Sequence, residues 1–252
     1  MIAHMLQARR ELLRTLPTVI PSPMFVGGSG ATLGLAVYKR GHPEVLEEAL
    51  YAGEILGPAI CPVVYSATGG GYFMEYLRPA PPSPTLLRAA EELLTEQVWC
   101  RPPIRNDGED WRGLFRRRFA VAVPDWLETP PGLAHGDPTA SNMLLNEKWE
   151  LRIGDPVAPR SYLPMSPDLD RGKLLQSFLG WEAAVYGTHR EPMLPPLFAE
   201  DLVVLRRAAF WCLVHSLRIM RRETRRAGGP RQQVARWCAM VARVCREVEV
   251  AA

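Results

Sequence analysis

The chain has 252 residues, of which 47% are hydrophobic and 23% are charged, and its formal net charge is +3. This length suits one large domain or two lobes that share a cleft, and the composition is that of an ordinary globular protein. The mild charge does not imply nucleic-acid binding, although it does not exclude it, and no apolar run is long enough to span a membrane. Five scattered cysteines without C-x-x-C spacing indicate neither a disulfide framework nor a zinc site. We therefore expect a cytoplasmic protein of undetermined oligomeric state.

The first 78 residues predict a short helix followed by a small sheet. We assign residues 1–23 to a docking helix and linker, since an amphipathic pattern is followed there by prolines. Residues 24–40 predict two strands around a glycine-rich turn, where backbone N–H groups at Gly28 and Ser29 could cradle phosphate. A flexible hairpin tip explains this turn nearly as well. A helix over 43–56 and strands over 63–66 and 72–77 complete the predicted lobe, residues 24–78.

The remainder, residues 79–252, predicts a mainly helical second lobe that begins in a proline-rich stretch. The apolar spacing predicts helices over 85–98, 111–123, 173–185, 199–222 and 232–248. His215 falls at core spacing in the fourth of these helices, so we expect it to be a core or cleft histidine and not a ligand. The arginines of the second and fourth predicted helices favour solvated helix faces over phosphate contacts.

The segment from Leu133 to Leu175 contains the residues best suited to chemistry. Two short strands, 143–145 and 151–153, are predicted around a turn at 146–148. Such a hairpin would place Asn142 near Asp155, so that two hard oxygen ligands converge as Mg²⁺ prefers. Asp137 lies on the preceding loop, where it could accept a proton from a hydroxyl or orient it. Ordinary Asp-Pro turns and a buried core histidine at His135 are the alternatives for these residues taken singly.

The ordered set of HGDPTASN, the strand pair, IGDP and SPDLD resembles the catalytic core of the aminoglycoside phosphotransferase and choline kinase-like family. The resemblance implies an α+β, two-lobed protein-kinase-like fold, with a small antiparallel-sheet N-lobe and a mainly helical C-lobe. It further implies transfer of the γ-phosphoryl group of ATP or GTP, with Mg²⁺, to a hydroxyl of a small-molecule acceptor. Asp137 would be the catalytic base, and Asn142 and Asp155 would hold the metal.

The same resemblance implies a nucleotide site in the first lobe. Lys39 takes the place of the lysine that holds the α- and β-phosphates. Glu48 is the best match for the glutamate that supports this lysine, with Glu47 and Glu54 as alternatives. The stretch that runs into the hinge would hydrogen-bond the adenine through backbone groups of Glu75, Tyr76 and Leu77.

In the second lobe the resemblance implies supporting roles around the catalytic loop. His135 would be structural, and Asp168 matches the later aspartate that braces the loop, with Asp170 as the alternative. Arg160 and Tyr162 are candidate contacts to the acceptor. Three other functions remain open: a kinase that acts on a nucleotide, sugar or modified base in a nucleic-acid-related pathway, a nucleotide-binding pseudokinase, and a metal-dependent hydrolase that uses His135, Asp137 and Asp155.

Overall fold

The computed structural model describes residues 21–26, 32–40, 45–68, 71–81, 83–104, 110–119, 122–157, 160, 162–181, 196–223 and 231–251. The predicted N-terminal helix and the turn at Gly28 and Ser29 lie outside these residues. Within them, the helices are too short or too polar to cross a membrane.

The chain folds as two units. The first consists of Met1–Arg78 and Leu144–Pro156, and the second consists of Pro79–Met143 and Val157–Ala252. The chain leaves the first unit after Arg78. It also returns to that unit for the hairpin at 144–156, which the predicted boundaries had assigned to the second lobe.

The first unit contains a four-stranded antiparallel sheet in the order β1-β2-β4-β3. Its strands are β1 (Pro21–Val26), β2 (Thr32–Arg40), β3 (Val64–Thr68) and β4 (Gly71–Glu75). A two-residue strand, β5 (Arg78–Pro79), follows. The register places Lys39 of β2 opposite Tyr72 of β4. Because the pleat alternates, this pairing sets which side chains of the two strands share a face of the sheet.

Helix α1 (Val45–Leu50) continues into a wider π-helical turn, Tyr51–Leu56. Ala49 of this helix packs on Tyr72 of the sheet, with Val64, Ala67 and Met74 around them. This contact fixes the face of α1 that is turned toward the sheet, and Glu48 on that face is buried.

The hairpin of strands β6 (Met143–Leu145) and β7 (Leu151–Ile153) has the predicted bounds. Its turn is closed by the Asn146 side chain, whose Oδ1 accepts from the amides of Lys148 at 2.9 Å and Glu150 at 2.8 Å. Asparagine closes turns of this kind because its side chain can replace a backbone acceptor. The amide of Ile153 donates to the carbonyl of Ile60 at 2.7 Å, which ties the end of β7 to the first unit.

The second unit is built from five helices among the described residues. They are α2 (Pro84–Leu94, extended by the π-helical turn Thr95–Trp99), α3 (Trp111–Phe119), α4 (Pro167–Phe178), α5 (Leu202–Glu223) and α6 (Arg231–Ala251). Single 3₁₀ turns occur at Ala140–Asn142 and Leu197–Glu200. The core that joins α3, α4 and α5 is aromatic, and its buried members include Phe115, Phe119 and Trp211.

Helix α4 begins six residues before the predicted start at Lys173. Ser166 caps it by accepting from the amide of Asp168 at 3.3 Å, and Pro167 occupies the first turn, where a missing N–H costs nothing. Gly172 allows α4 to pack closely on α5, because a Cβ there would lie 2.8 Å from backbone atoms of Trp211 and Cys212. This packing brings the side chains of α4 and α5 to a common site.

Candidate functional site

Lys39 lies at the centre of an ionic cluster within the first unit. Its Nζ pairs with Glu48 Oε1 and with Asp155 Oδ1, the latter at 2.7 Å. The hydroxyl of Tyr72 donates to the same Glu48 oxygen at 2.7 Å. Of the three glutamates that the sequence left open, Glu48 makes the pair with Lys39, whereas Glu47 and Glu54 are exposed.

Burial and charge act in opposite directions on Lys39. Burial alone would lower its pKa, but the charges of Asp155 and Glu48 outweigh burial and raise the pKa above 10.5. Lys39 therefore stays protonated at physiological pH. Burial and the charge of Glu48 raise the pKa of the Tyr72 phenol, so that this hydroxyl remains a neutral donor.

Asp155 follows β7 in a conformation that few non-glycine residues adopt. Its φ is 52°, in the left-handed region, where aspartate is among the better tolerated residues. Its side chain is 48% exposed although one oxygen contacts Lys39. Asp155 thus has carboxylate surface that a bound cation can use.

Asp137 lies in the second unit on the loop that runs from His135 to Asn142. Its Oδ1 pairs with the Nζ of Lys173 at 2.9 Å, and its side chain is 29% exposed. The Asn142 Nδ2 donates to the Asp137 carbonyl at 2.9 Å and to Asp137 Oδ2 at 3.3 Å. Because both of these partners are acceptors, the Asn142 nitrogen must face them, and the amide oxygen is turned away as a candidate metal ligand.

The ionisation of Asp137 is set by its neighbours. Burial would raise the pKa of this carboxyl, but the charge and hydrogen bond of Lys173 lower it. His135 and Arg218 add smaller contributions of the same sign, and the net pKa lies below 3.8. Asp137 is consequently a carboxylate at neutral pH, the form that can accept a proton.

Gly136 gives the loop its shape. Its φ is 91°, and a Cβ at this position would lie 1.8 Å from the carbonyl oxygen of Val157. The amide of Val157 donates in turn to the carbonyl of His135 at 2.9 Å. Only glycine satisfies both the backbone angle and this close approach.

The aspartate that braces this loop is Asp170, which corrects the expectation for Asp168. The two Asp170 oxygens accept from the amides of His135 and Gly136, each at 2.7 Å, and Trp99 Nε1 donates to the same carboxylate at 2.9 Å. Asp168 instead pairs with Arg171 at 2.7 Å and with Arg207 at 2.8 Å. Two residues apart on α4, the carboxylates point to nearly opposite sides of the helix.

A cavity of about 220 Å³ opens beside Asp137 within the second unit. Lys173 of α4 and His215, Arg218 and Ile219 of α5 line it together with Asp137. Lys173 and Arg218 are site residues that the sequence did not predict. Their positions on α4 and α5 could be counted from helix starts near Ser166 and Asp201. These positions indicate a shared site only when the packing of α4 on α5 is known.

Other predicted site residues are located as follows. The amide of Glu75 donates to the carbonyl of Val63 at 2.8 Å, so this N–H already serves the sheet, while Tyr76 and Leu77 follow β4. Tyr162 packs edge-on against Phe119, with ring centroids 5.8 Å apart, as part of the aromatic core. Arg160 lies on the loop before it and accepts from the amide of Leu163 at 2.8 Å. Contacts of these residues with adenine or acceptor stay predictions.

The candidate metal ligands belong to different units, Asp155 to the first and Asn142 to the second. Their convergence on one ion stays a prediction. Among the described residues, no three His, Cys, Asp or Glu side chains group closely enough to hold a metal ion by themselves.

Comparison with known proteins gives similarity of structure and not of sequence. No protein-family model matches the chain, and no curated protein matches it. A choline kinase from Cryptosporidium parvum is 8% identical with a TM-score of 0.55, over 98% of this chain and 97% of that one.

Two bacterial structures are also similar. A choline kinase from Streptococcus pneumoniae is 14% identical over 94% of this chain and 99% of that one, with a TM-score of 0.49. A choline/ethanolamine kinase family protein from Mesorhizobium loti is 14% identical over 98% of this chain and 95% of that one, also with a TM-score of 0.49. By the comparison with the Cryptosporidium structure, this α+β chain has a fold similar to that of a choline kinase.

Proposed function

We propose that this protein is a small-molecule kinase that transfers the γ-phosphoryl group of ATP or GTP to a hydroxyl. The observation that carries the proposal is the cluster of Lys39 with Glu48 and Asp155. Protein kinases require a strand lysine paired with a helix glutamate, together with an aspartate that holds Mg²⁺. Here the three residue types come from β2, α1 and the end of β7, and the lysine contacts both carboxylates within one unit.

The residues present fit a Mg²⁺–nucleotide complex. Asp155 offers a half-exposed carboxylate, and Asn142 offers an amide oxygen, both of which are hard ligands suited to Mg²⁺. Lys39 supplies a permanent positive charge for phosphate oxygens. When bound, the complex would supply the phosphoryl group and the metal charge that offsets the charge of its oxygens.

In this proposal Asp137 is the catalytic base. The acceptor oxygen loses its proton to Asp137 and forms the bond to the γ-phosphorus. The bond to the β–γ bridging oxygen breaks at the same time, and the nucleoside diphosphate leaves with the electron pair. Lys173 keeps Asp137 ionised, Asn142 orients it, and Asp170 fixes the backbone that carries it.

The experiment that tests the proposal combines nucleotide binding with phosphoryl transfer. Mg²⁺ with ATP or GTP should raise the melting temperature of the wild type, since a ligand that binds only the folded state stabilises it by about 2.7 kcal/mol at 100 times its Kd. Asp155→Asn should lose the Mg²⁺-dependent part of the shift. Asp137→Asn should keep the shift and lose transfer to hydroxyl acceptors by several powers of ten.

Glu54→Gln, an exposed change in the same unit, is the matched control and should behave as the wild type. An equal Mg²⁺-dependent shift in Asp155→Asn would contradict the metal assignment. Transfer at the wild-type rate in Asp137→Asn would contradict the assignment of the base.

A further inference from the structure

The cavity beside Asp137 is lined by more positive charge than is needed to keep a catalytic base ionised. Two of its side chains are cationic, Lys173 and Arg218, and one is anionic, Asp137. Lys173 is paired with Asp137 at 2.9 Å, so these two charges largely cancel each other. The charge that remains is the guanidinium of Arg218.

Arg218 is positioned by His215. The Nε2 of His215 lies 3.1 Å from the carbonyl of Leu169, which requires the proton to be on Nε2. Nδ1 is then an acceptor, and the Nη1 of Arg218 donates to it at 3.2 Å. Burial, together with the charges of Lys173 and Arg218, lowers the pKa of His215 well below 6.5, so the ring is a neutral acceptor.

No carboxylate among the side chains that the structure describes forms an ion pair with Arg218. Within the described part of the chain, its guanidinium makes one hydrogen bond, to a neutral ring, which leaves further N–H donors for a ligand. A partly buried guanidinium in this state is a typical binding group for a carboxylate or phosphate, which it can bind in a bidentate manner.

The cavity is also unsuited to a cationic acceptor. Quaternary ammonium groups are bound over aromatic faces, and the described residues that line this cavity include no Phe, Tyr or Trp side chain. An amine would meet the charge of Arg218, which the Lys173–Asp137 pair leaves in excess. The cavity has a volume of about 220 Å³, below the roughly 300–1,000 Å³ of pockets for drug-sized ligands, which favours a small acceptor.

We infer that the acceptor is a small organic anion with a hydroxyl group, and that Arg218 binds its carboxylate or phosphate. The hydroxyl then lies toward Asp137, and Ile219 provides the apolar wall. This inference rests on the proposed function, because it names the substrate class of the same site. It separates this protein from kinases of choline or ethanolamine by the sign of the acceptor charge.

Binding of four probes without nucleotide tests the inference, measured by titration in saturation-transfer NMR. The probes are D-glycerate and glycerol 3-phosphate as anions, glycerol as the neutral analogue, and choline as the cation. We expect the two anions to bind at least about 10-fold more tightly than glycerol or choline. The stronger of the two anions identifies carboxylate or phosphate as the recognised group.

Arg218→Gln should weaken binding of the anions by about 10- to 100-fold and leave binding of glycerol unchanged. Arg218→Lys, which keeps the charge but not the planar fork, should restore part of the affinity. Arg236→Gln removes an exposed arginine of α6 and is the matched control, for which no change is expected. Circular dichroism of each variant confirms that it is folded.

Besides a lack of anion binding, three results would overturn the inference. The first is equal or tighter binding of choline, and the second is anion binding that does not respond to Arg218→Gln. The third is mutual exclusion of D-glycerate and a non-hydrolysable ATP analogue with Mg²⁺, which would place the anion on the nucleotide phosphate site. A Mg²⁺–ATP thermal shift without anion binding would refute this inference alone, whereas loss of that shift would refute the proposed function.

Discussion

At the residue scale, the ionisation of Asp137 depends on a balance between burial and one neighbouring cation. Lys173 tips this balance toward the carboxylate. Because the pKa of Asp137 is lowered in the folded state, its ionised carboxylate stabilises the fold at pH values above the pKa of this group in the unfolded chain. This contribution is lost as the pH falls through the lowered pKa of the folded state.

Replacing Lys173 should therefore move the pH dependence of transfer. In Lys173→Gln the main cause that lowers the pKa of Asp137 is gone while burial remains, so this pKa should rise and the acidic limb of kcat/KM should shift to higher pH. The measurement is kcat/KM from about pH 4 to pH 8, bracketing the range where carboxyl and histidine groups titrate. Lys148→Gln, an exposed change in the hairpin turn, should leave the profile in place. An unchanged acidic limb in Lys173→Gln would show that another group sets the ionisation of the base.

Glu48 and Glu54 offer a second comparison at this scale, since they lie one and a half turns apart in one helical stretch. Glu48→Gln removes the helix partner of Lys39 and should lower kcat/KM by about 100-fold or more. Glu54→Gln, on the exposed side, should change the free energy of unfolding by less than about 0.5 kcal/mol and leave the rate unaltered. Initial rates and urea unfolding of both variants check this. Equal rates in the two variants would remove Glu48 from the nucleotide site.

At the scale of elements, the loop that carries Asp137 is fixed from two directions. Asp170 of α4 accepts from the amides of His135 and Gly136, and Ser177, also on α4, accepts from the amide of Ala140 at 3.0 Å. The backbone hydrogen bond from the amide of Val157 to the carbonyl of His135 holds the other side. Asp137 is thus placed by a helix and a backbone contact, and not by the loop alone.

Gly136→Ala tests this arrangement. The new methyl group would overlap the Val157 carbonyl at a φ of 91°, and we expect a loss of about 2–5 kcal/mol in the free energy of unfolding together with loss of transfer. Gly57→Ala is the control, because its φ is 83° but nothing lies within 4 Å of the added Cβ. That variant should lose only the conformational cost of about 1–2 kcal/mol. If urea midpoints fall equally in both variants, the contact with Val157 does not constrain the loop.

At the scale of the whole molecule, the sequence predicted local features better than their assembly. The β6–β7 hairpin was predicted to the residue because Asn146 closes its turn and apolar runs flank it. The start of α4 was missed because Ser166 and Pro167, which form its cap, also suit a loop. Because of that error, the sequence could not decide whether Asp168 or Asp170 braces the loop, since the carboxylate that faces the loop depends on where the helix begins.

The pocket residues could not be predicted for a different reason. Lys173, His215 and Arg218 come together only because Gly172 lets α4 and α5 approach closely. No local sequence pattern predicts such a contact. Helical periodicity alone predicts that the arginines of α5 lie on a solvated face. The pairing of Lys39 with Glu48 was predicted through the resemblance, whereas the contact between Lys39 and Asp155 was not predicted and is known from the structure alone.

The chain crosses between its two units three times, and this has a consequence for how the protein is made. Lys39 and Asp155 are separated by 116 positions, so the lysine emerges from the ribosome well before its second carboxylate partner exists. A nascent chain that ends at Arg78 contains the residues of all four strands of the sheet but not the hairpin at 144–156, and of the two carboxylates that pair with Lys39 in the described structure it contains Glu48 alone. Domains usually fold in order as they are synthesised. Here the first unit can complete its ionic centre only after residues 79–143 of the second unit have been translated.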